Sequence, residues 1–239
     1  MADNVYHFKA IGDVVIEKNN RAKTLRIVVK PNSGVRVTIP RGVTINKALR
    51  FVEEKTDWIR KSLEKVKTYE QNKTIFKPGI DFSTFEHKLE FENQPDATLS
   101  AKVGKGVIRI IYASELQLEV ESGQEFIKKA VEYALRKEAK KHLPVRLAHL
   151  ASKHGFRYAD IRVKNLKTRW GSCSAVNNIN LNIHLMRLPE YLIDYVILHE
   201  LVHTVHKNHG PHFWKRLDEV SGNAKGLAKE MKNYRTLVY

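Results

Sequence analysis

The stretch that decides how this chain is read is YVILHELVHTVHKNHGPHFW, Tyr195–Trp214. Its centre is H-E-x-x-H at His199, Glu200 and His203. Residues four apart share one face of a helix, so two imidazoles can aim at one point. Neutral imidazoles at that spacing suit Zn²⁺, and a glutamate beside the first suits a general base. Around them, Leu192, Ile193, Val196, Ile197, Leu201 and Val205 recur at helical intervals and predict a helix that buries them. Pro189 fits the first turn of that helix. Asn208-His-Gly-Pro211 predicts its end, since Asn or Gly can turn left-handed and Pro cannot continue a helix. Pro211 then fits the start of a further helix through Phe213, Trp214 and Leu217.

A hydrolytic zinc usually takes three protein ligands and keeps one position for water. The candidates for the third are His206, His209, His212 and Glu219. On a continuing helix, His206 would sit about 10 Å further along the axis than His199. His209 follows the break at Asn208, so its ring can return beneath the helix end. It also stands at the distance of the third histidine in the metzincin pattern, although His206 occupies that pattern's glycine. His209 is therefore preferred and Glu219 is the runner-up. For the oxyanion that acyl transfer develops, Arg169, Asn182 and His184 are candidates.

Upstream, Lys167–Ser174 (KTRWGSCS) reads as a polar loop, and Ile179–Met186 (INLNIHLM) alternates as a half-buried strand should. A strand there could offer its edge to a peptide. Ala159–Val163 is a further short strand. From Gln124 to about His149, Phe126, Ile127, Ala130, Val131, Ala134, Leu135, Ala139 and Leu143 mark one helical face, with Pro144 expected to kink or end it. The first part is β-rich: Val14–Glu17, Thr24–Val29 and Val35–Ile39, then Phe85–Phe91, Thr98–Val103 and Val107–Tyr112. Pro31–Gly34 and Gly104–Gly106 read as turns. One long helix, Ile45 to Val66 with Thr44 as N-cap, lies between the two groups of strands. Ser122-Gly123 suggests a boundary, giving domains 1–122 and 123–239 in an α+β chain.

The chain has 239 residues and 42% hydrophobic content, enough for a sizeable core. Its one cysteine, Cys173, excludes an internal disulfide and a Cys-rich zinc ribbon, and reads best as a small buried thiol. No basic segment followed by an apolar run opens the sequence, and no run is long enough to span a bilayer. A cytoplasmic setting without a membrane partner is expected. The net charge of +16 favours polyanions, and lysines thicken at Lys128–Lys129 and Lys137–Lys141 and flank a turn at Lys102 and Lys105.

Thr168–Ser174, Ile179–Trp214 and the leading Arg21–Val43 with Phe51–Lys61 together resemble the YgjP-like metallopeptidase family, which is related to the SprT-like zincins. The resemblance covers most of the chain. It implies a zincin-like domain with an active-site helix, carried behind a β-rich N-terminal region. It further implies one Zn²⁺ ion on His199, His203 and His209, with Glu200 as the catalytic base. The expected activity is zinc-dependent hydrolysis of peptide bonds in a protein or peptide substrate, by an endopeptidase. The alternative is a DNA-associated zincin-like protein, either a protease of DNA-bound proteins or a regulator that does not cleave.

Overall fold

Short β-branched runs build the first sheet: β1 (Asn4–Phe8), β2 (Gly12–Lys18), β3 (Arg26–Lys30) and β4 (Gly34–Ile39). They lie in the order β1-β2-β4-β3, with β2 and β4 parallel and the other neighbours antiparallel. Alternation sends Val14, Ile16, Val35, Val37 and Ile39 to one buried face. That face shares a core with Ala48 and Val52 of α1 (Ile45–Glu54) and Ile59 of α2 (Thr56–Gln71). Thr44 caps α1 through its side chain, as expected. The single long helix is in fact two. Thr56 Oγ1 takes the Val52 carbonyl, and the Lys55 amide is shared between Phe51 and Val52. Such local side-chain capture competes with the helical ladder. Strand β1 was not anticipated from the sequence.

The computed structural model describes residues 4–30, 33–71 and 74–236, so Pro31 and Asn32 of the expected turn lie outside the described residues. By its internal contacts the chain divides into two units, Met1–Lys73 and Thr74–Tyr239. The second unit contains β5 (Lys88–Asn93), β6 (Ser100–Gly104) and β7 (Val107–Tyr112) in the order β5-β7-β6. These strands were expected on the other side of a boundary at 122/123. The core explains the difference: Leu89, Ile108 and Ile110 are buried in one cluster with Ile127, Val131 and Leu135. Gly123 marks a close approach and no linker, because a Cβ there would lie 1.9 Å from the Gln117 carbonyl oxygen. That glycine lets α3 (Glu115–Glu119) turn directly into α4 (Glu121–His154).

Helix α4 runs through Pro144 without ending. The carbonyl that Pro144 leaves without its helical donor belongs to the exposed Lys140, where water can satisfy it. Beyond α4, β8 (Asp160–Lys164), β9 (Gly171–Cys173) and β10 (Asn178–Asn182) form a sheet in the order β8-β10-β9. Strand β10 is parallel to β8 and antiparallel to β9. It is therefore the central strand, and the edge beside it belongs to β9. The alternating run after Asn182 does not stay extended; Ile183–Arg187 is a 3₁₀ turn begun by the Asn182 side chain. Then come α5 (Glu190–Val202), α6 (Pro211–Ser221) and α7 (Ala224–Glu230). Leu192, Ile197 and Leu201 of α5 pack with Phe213 and Leu217 of α6 in the same core. Among the described residues no helix is long and apolar enough to cross a membrane. The expected α+β class holds throughout.

Candidate metal centre

Helix α5 is apolar nearly all round, with Tyr195–Leu198 buried, so its last turn is held rigidly in the core. That turn carries His199 and Glu200, and His203 caps it. The helix thus ends earlier than Asn208, and Val205, expected inside, is 61% exposed. The early end has a local cause. The chain tightens through Thr204 and Val205, and the His206 carbonyl comes 3.0 Å from His203 Nδ1. A carbonyl only accepts, so Nδ1 carries the proton and His203 Nε2 presents a lone pair.

The Nε2 of His209 lies 3.0 Å from that of His199 and 3.1 Å from that of His203. Ligand atoms about 2.0–2.1 Å from a tetrahedral zinc are about 3.3 Å apart, close to this spacing. Burial pulls His199 down to about 3, and the neighbouring His203 and His209 add to the effect. His203 is also lowered, chiefly by burial. Three imidazoles are thus gathered around one point, two of them held neutral, in a group that could hold a metal ion. Phe213, fully buried at the start of α6, touches all three rings, with centroid separations of 4.9, 4.6 and 4.6 Å. The sequence pattern gave Phe213 no part in the site; its role exists only through space.

Glu200 follows His199 directly in the last turn of α5 and is 6% exposed. Burial pushes its carboxyl up to about 8, against a smaller opposing pull from the Arg169 guanidinium. Its Oε2 is buried with no hydrogen-bond partner. Strand β9 lies against this carboxyl: a Cβ on Gly171 would sit 2.7 Å from Glu200 Cγ and Oε1. The glycine of the RWGSC loop is therefore what admits Glu200, and the loop is partly a strand. Lys207 ties the turn before His209 to the β9–β10 turn, donating to the Ser174 carbonyl at 3.0 Å and to Asn177 Oδ1.

The remaining candidates fall elsewhere. The His206 ring stacks on His212 at 6.2 Å, and Glu219 pairs with Arg216 at 3.1 Å. Asn182 is fully buried and clamps the preceding loop, donating to the carbonyls of Leu166 and Arg169 and accepting from the amides of Leu166 and His184. Both N–H donors of its side chain are engaged in these bonds. His184 is buried and pulled down to about 3 by that burial, outside the histidine group. Cys173 is half-buried, 4.0 Å from the Lys207 amine, and burial raises its thiol.

A family model described as YgjP-like, metallopeptidase domain, matches residues 23–234. Two solved structures are similar over part of the chain. The metallopeptidase zymogen abylysin of Pyrococcus abyssi is 25% identical over 38% of this chain and 92% of its own, with a TM-score of 0.34. The metallopeptidase zymogen jannalysin of Methanocaldococcus jannaschii is 25% identical over 38% of this chain and 89% of its own, with a TM-score of 0.33. No curated protein matches. The chain belongs to the YgjP-like metallopeptidase family.

Proposed function

We propose that this chain hydrolyses peptide bonds with one zinc ion held by His199, His203 and His209 and with Glu200 as general base. One observation carries the reading: three imidazole nitrogens converge on one point, and the residue next to the first of them, Glu200, keeps a buried carboxyl oxygen without a hydrogen-bond partner. Natural proteins rarely leave such an atom unsatisfied, and a catalytic role or a bound ion is among the reasons they do. When bound, zinc polarises the scissile carbonyl and acidifies a water. The residues do the rest. The His206 carbonyl fixes the tautomer and plane of His203, and Phe213 braces all three rings. Burial favours the protonated form of Glu200, and the positive charge of a metal held by the three histidines would favour the ionised form. In that ionised form Glu200 would accept the proton of the attacking water and deliver it to the departing amine nitrogen. Arg169, whose exposed guanidinium exerts a pull on the Glu200 carboxyl, would be the residue to meet negative charge developing on the substrate. The edge of β9, beside Glu200, offers backbone groups to an extended peptide.

The test is cleavage of an unfolded protein by zinc-loaded, chelated and Glu200→Gln protein, with metal content measured in each. Cleavage that needs zinc and vanishes in Glu200→Gln at full zinc occupancy supports the reading. Undiminished cleavage by that variant refutes it.

A further inference from the structure

We propose that α4 and the β6–β7 turn form a binding surface for single-stranded nucleic acid, separate from the metal centre. In the sequence, the lysines of residues 128–141 and those at Lys102 and Lys105 are two unrelated clusters. The fold brings them together. Lys105 sits at the apex of the β6–β7 turn with φ +51°, next to Gly106 at φ +78°. Two successive left-handed residues make the tight hairpin that presents the Lys105 side chain outward. It faces α4 across a groove of about 600 Å³, lined also by Lys137, Lys141 and Glu86.

Along α4, Lys129, Tyr133, Lys137 and Lys141 follow one another at four-residue intervals, all exposed, with exposed Lys140 beside the row. Each interval advances about 6 Å along the axis, which gives a winding strip of cations. The acids around it do not neutralise it. Glu86 is shared by Lys141 and His142, Glu125 pairs with Lys128, and half-buried Glu132 lies at the border of the strip. Among the described residues Lys105, Lys129, Lys137 and Lys140 make no ion pair with an acid. The strip therefore presents concentrated positive charge to a polyanion.

Tyr133 selects among polyanions. It is 60% exposed in the middle of the cations, and it is the only large apolar side chain exposed between Lys129 and Lys141. A helix that lies in lipid needs an apolar face, whereas Ile127, Val131, Ala134 and Leu135 of α4 are all buried in the core. One exposed aromatic among lysines instead suits an unpaired base stacked on the ring with phosphates on the amines. A duplex would not offer that base.

The experiment measures fluorescence anisotropy of a labelled oligothymidylate of about 15 nucleotides against the full chain, over a range of salt. Zinc content and melting temperature serve as controls, so the result stands whatever the outcome for peptide cleavage. Expected is binding that weakens steeply with salt and falls about tenfold or more in Lys105→Glu/Lys129→Glu/Lys137→Glu. A second triple variant, Lys153→Glu/Lys225→Glu/Lys229→Glu, carries the same charge change on exposed lysines elsewhere and should keep most of the affinity. Tyr133→Ala should weaken single-strand binding about fivefold or more, and Tyr133→Phe should restore it. Equal loss in the two triple variants overturns the surface in favour of diffuse net charge. Absent binding at low salt also overturns it, as does retention on phosphatidylserine vesicles with no oligonucleotide binding. An unchanged Tyr133→Ala variant overturns the single-strand assignment.

Discussion

Two glutamates of the second unit are buried beside histidines, Glu138 in the middle of α4 and Glu200 at the end of α5. At Glu138 every oxygen is engaged. Oε1 lies 2.5 Å from Thr84 Oγ1 and 2.5 Å from His87 Nδ1, and Oε2 accepts the Phe85 amide at 3.1 Å. At Glu200, Oε2 is buried and accepts nothing. The first carboxylate fastens the segment leading into β5 onto α4. The second is kept rigid by its helix and left chemically idle. Burial alone therefore does not mark a functional acid; the role proposed for Glu200 rests on burial together with an unmet bond.

The sharpest break between the two is replacement by the isosteric amide at Glu200. Glu200→Gln should lower kcat/KM for an unfolded protein substrate by about 10³-fold, the typical contribution of a positioned general base. The melting temperature should hold or rise, because the variant removes a desolvated acid that satisfies no partner. A fall in both together would place Glu200 with Glu138 as a structural residue.

The next largest effect separates a ring from a carbonyl. His209→Ala should weaken zinc binding by more than about 100-fold, measured by competition with a chelator. His206→Ala should leave zinc affinity within a few-fold of the parent, because His206 acts through its backbone, which the substitution keeps. Comparable losses from both would mean that the His206 ring reaches the metal.

How much of this was legible in the sequence depends on the range over which the information is written. His199, Glu200 and His203 lie within a single turn of helix, so spacing alone states their geometry. His209 was expected to return because Asn208, Gly210 and Pro211 forbid a continuing helix; the return is found, but the helix already ends at His203, which no breaker residue announces. The strands around Val14, Val35 and Val107 and the inner face of α4 follow from periodicity in the same way. The parts that were missed depend on approach through space. The boundary was misplaced because Gly123 reads as a linker and is in fact a contact with the Gln117 carbonyl. The INLN strand was read as one that could offer an edge, because nothing in its own residues states that KTRWGSCS would supply a neighbour. Glu138 drew no notice, since its partners lie more than fifty residues away.

Gly171 tests the idle carboxylate without touching it. The Cβ of Gly171→Ala would intrude on Glu200 Cγ and Oε1, and the deeply buried side chain has little room to give way. Displacing a catalytic group by about 1 Å can cost about 10²-fold. Gly171→Ala should therefore cut cleavage by about that factor while zinc content stays full. Activity equal to the parent would mean that Glu200 works from another rotamer.

The smallest effect falls on the satisfied carboxylate. Glu138→Gln keeps the shape but leaves one oxygen to serve three donors, and turns an NH₂ toward at least one of them. A buried donor left unmet costs about 1–3 kcal/mol. The urea midpoint should fall by the corresponding amount with an unchanged slope, since the surface exposed on unfolding stays the same. Zinc content and kcat/KM, read below the transition, should match the parent. The contrast with Glu200→Gln is then complete in both readouts: one amide costs stability and spares the chemistry, the other spares stability and removes it. Loss of cleavage in Glu138→Gln without loss of stability would show that the α4 carboxylate reaches the reaction, and that a filled set of hydrogen bonds does not by itself exclude a catalytic role.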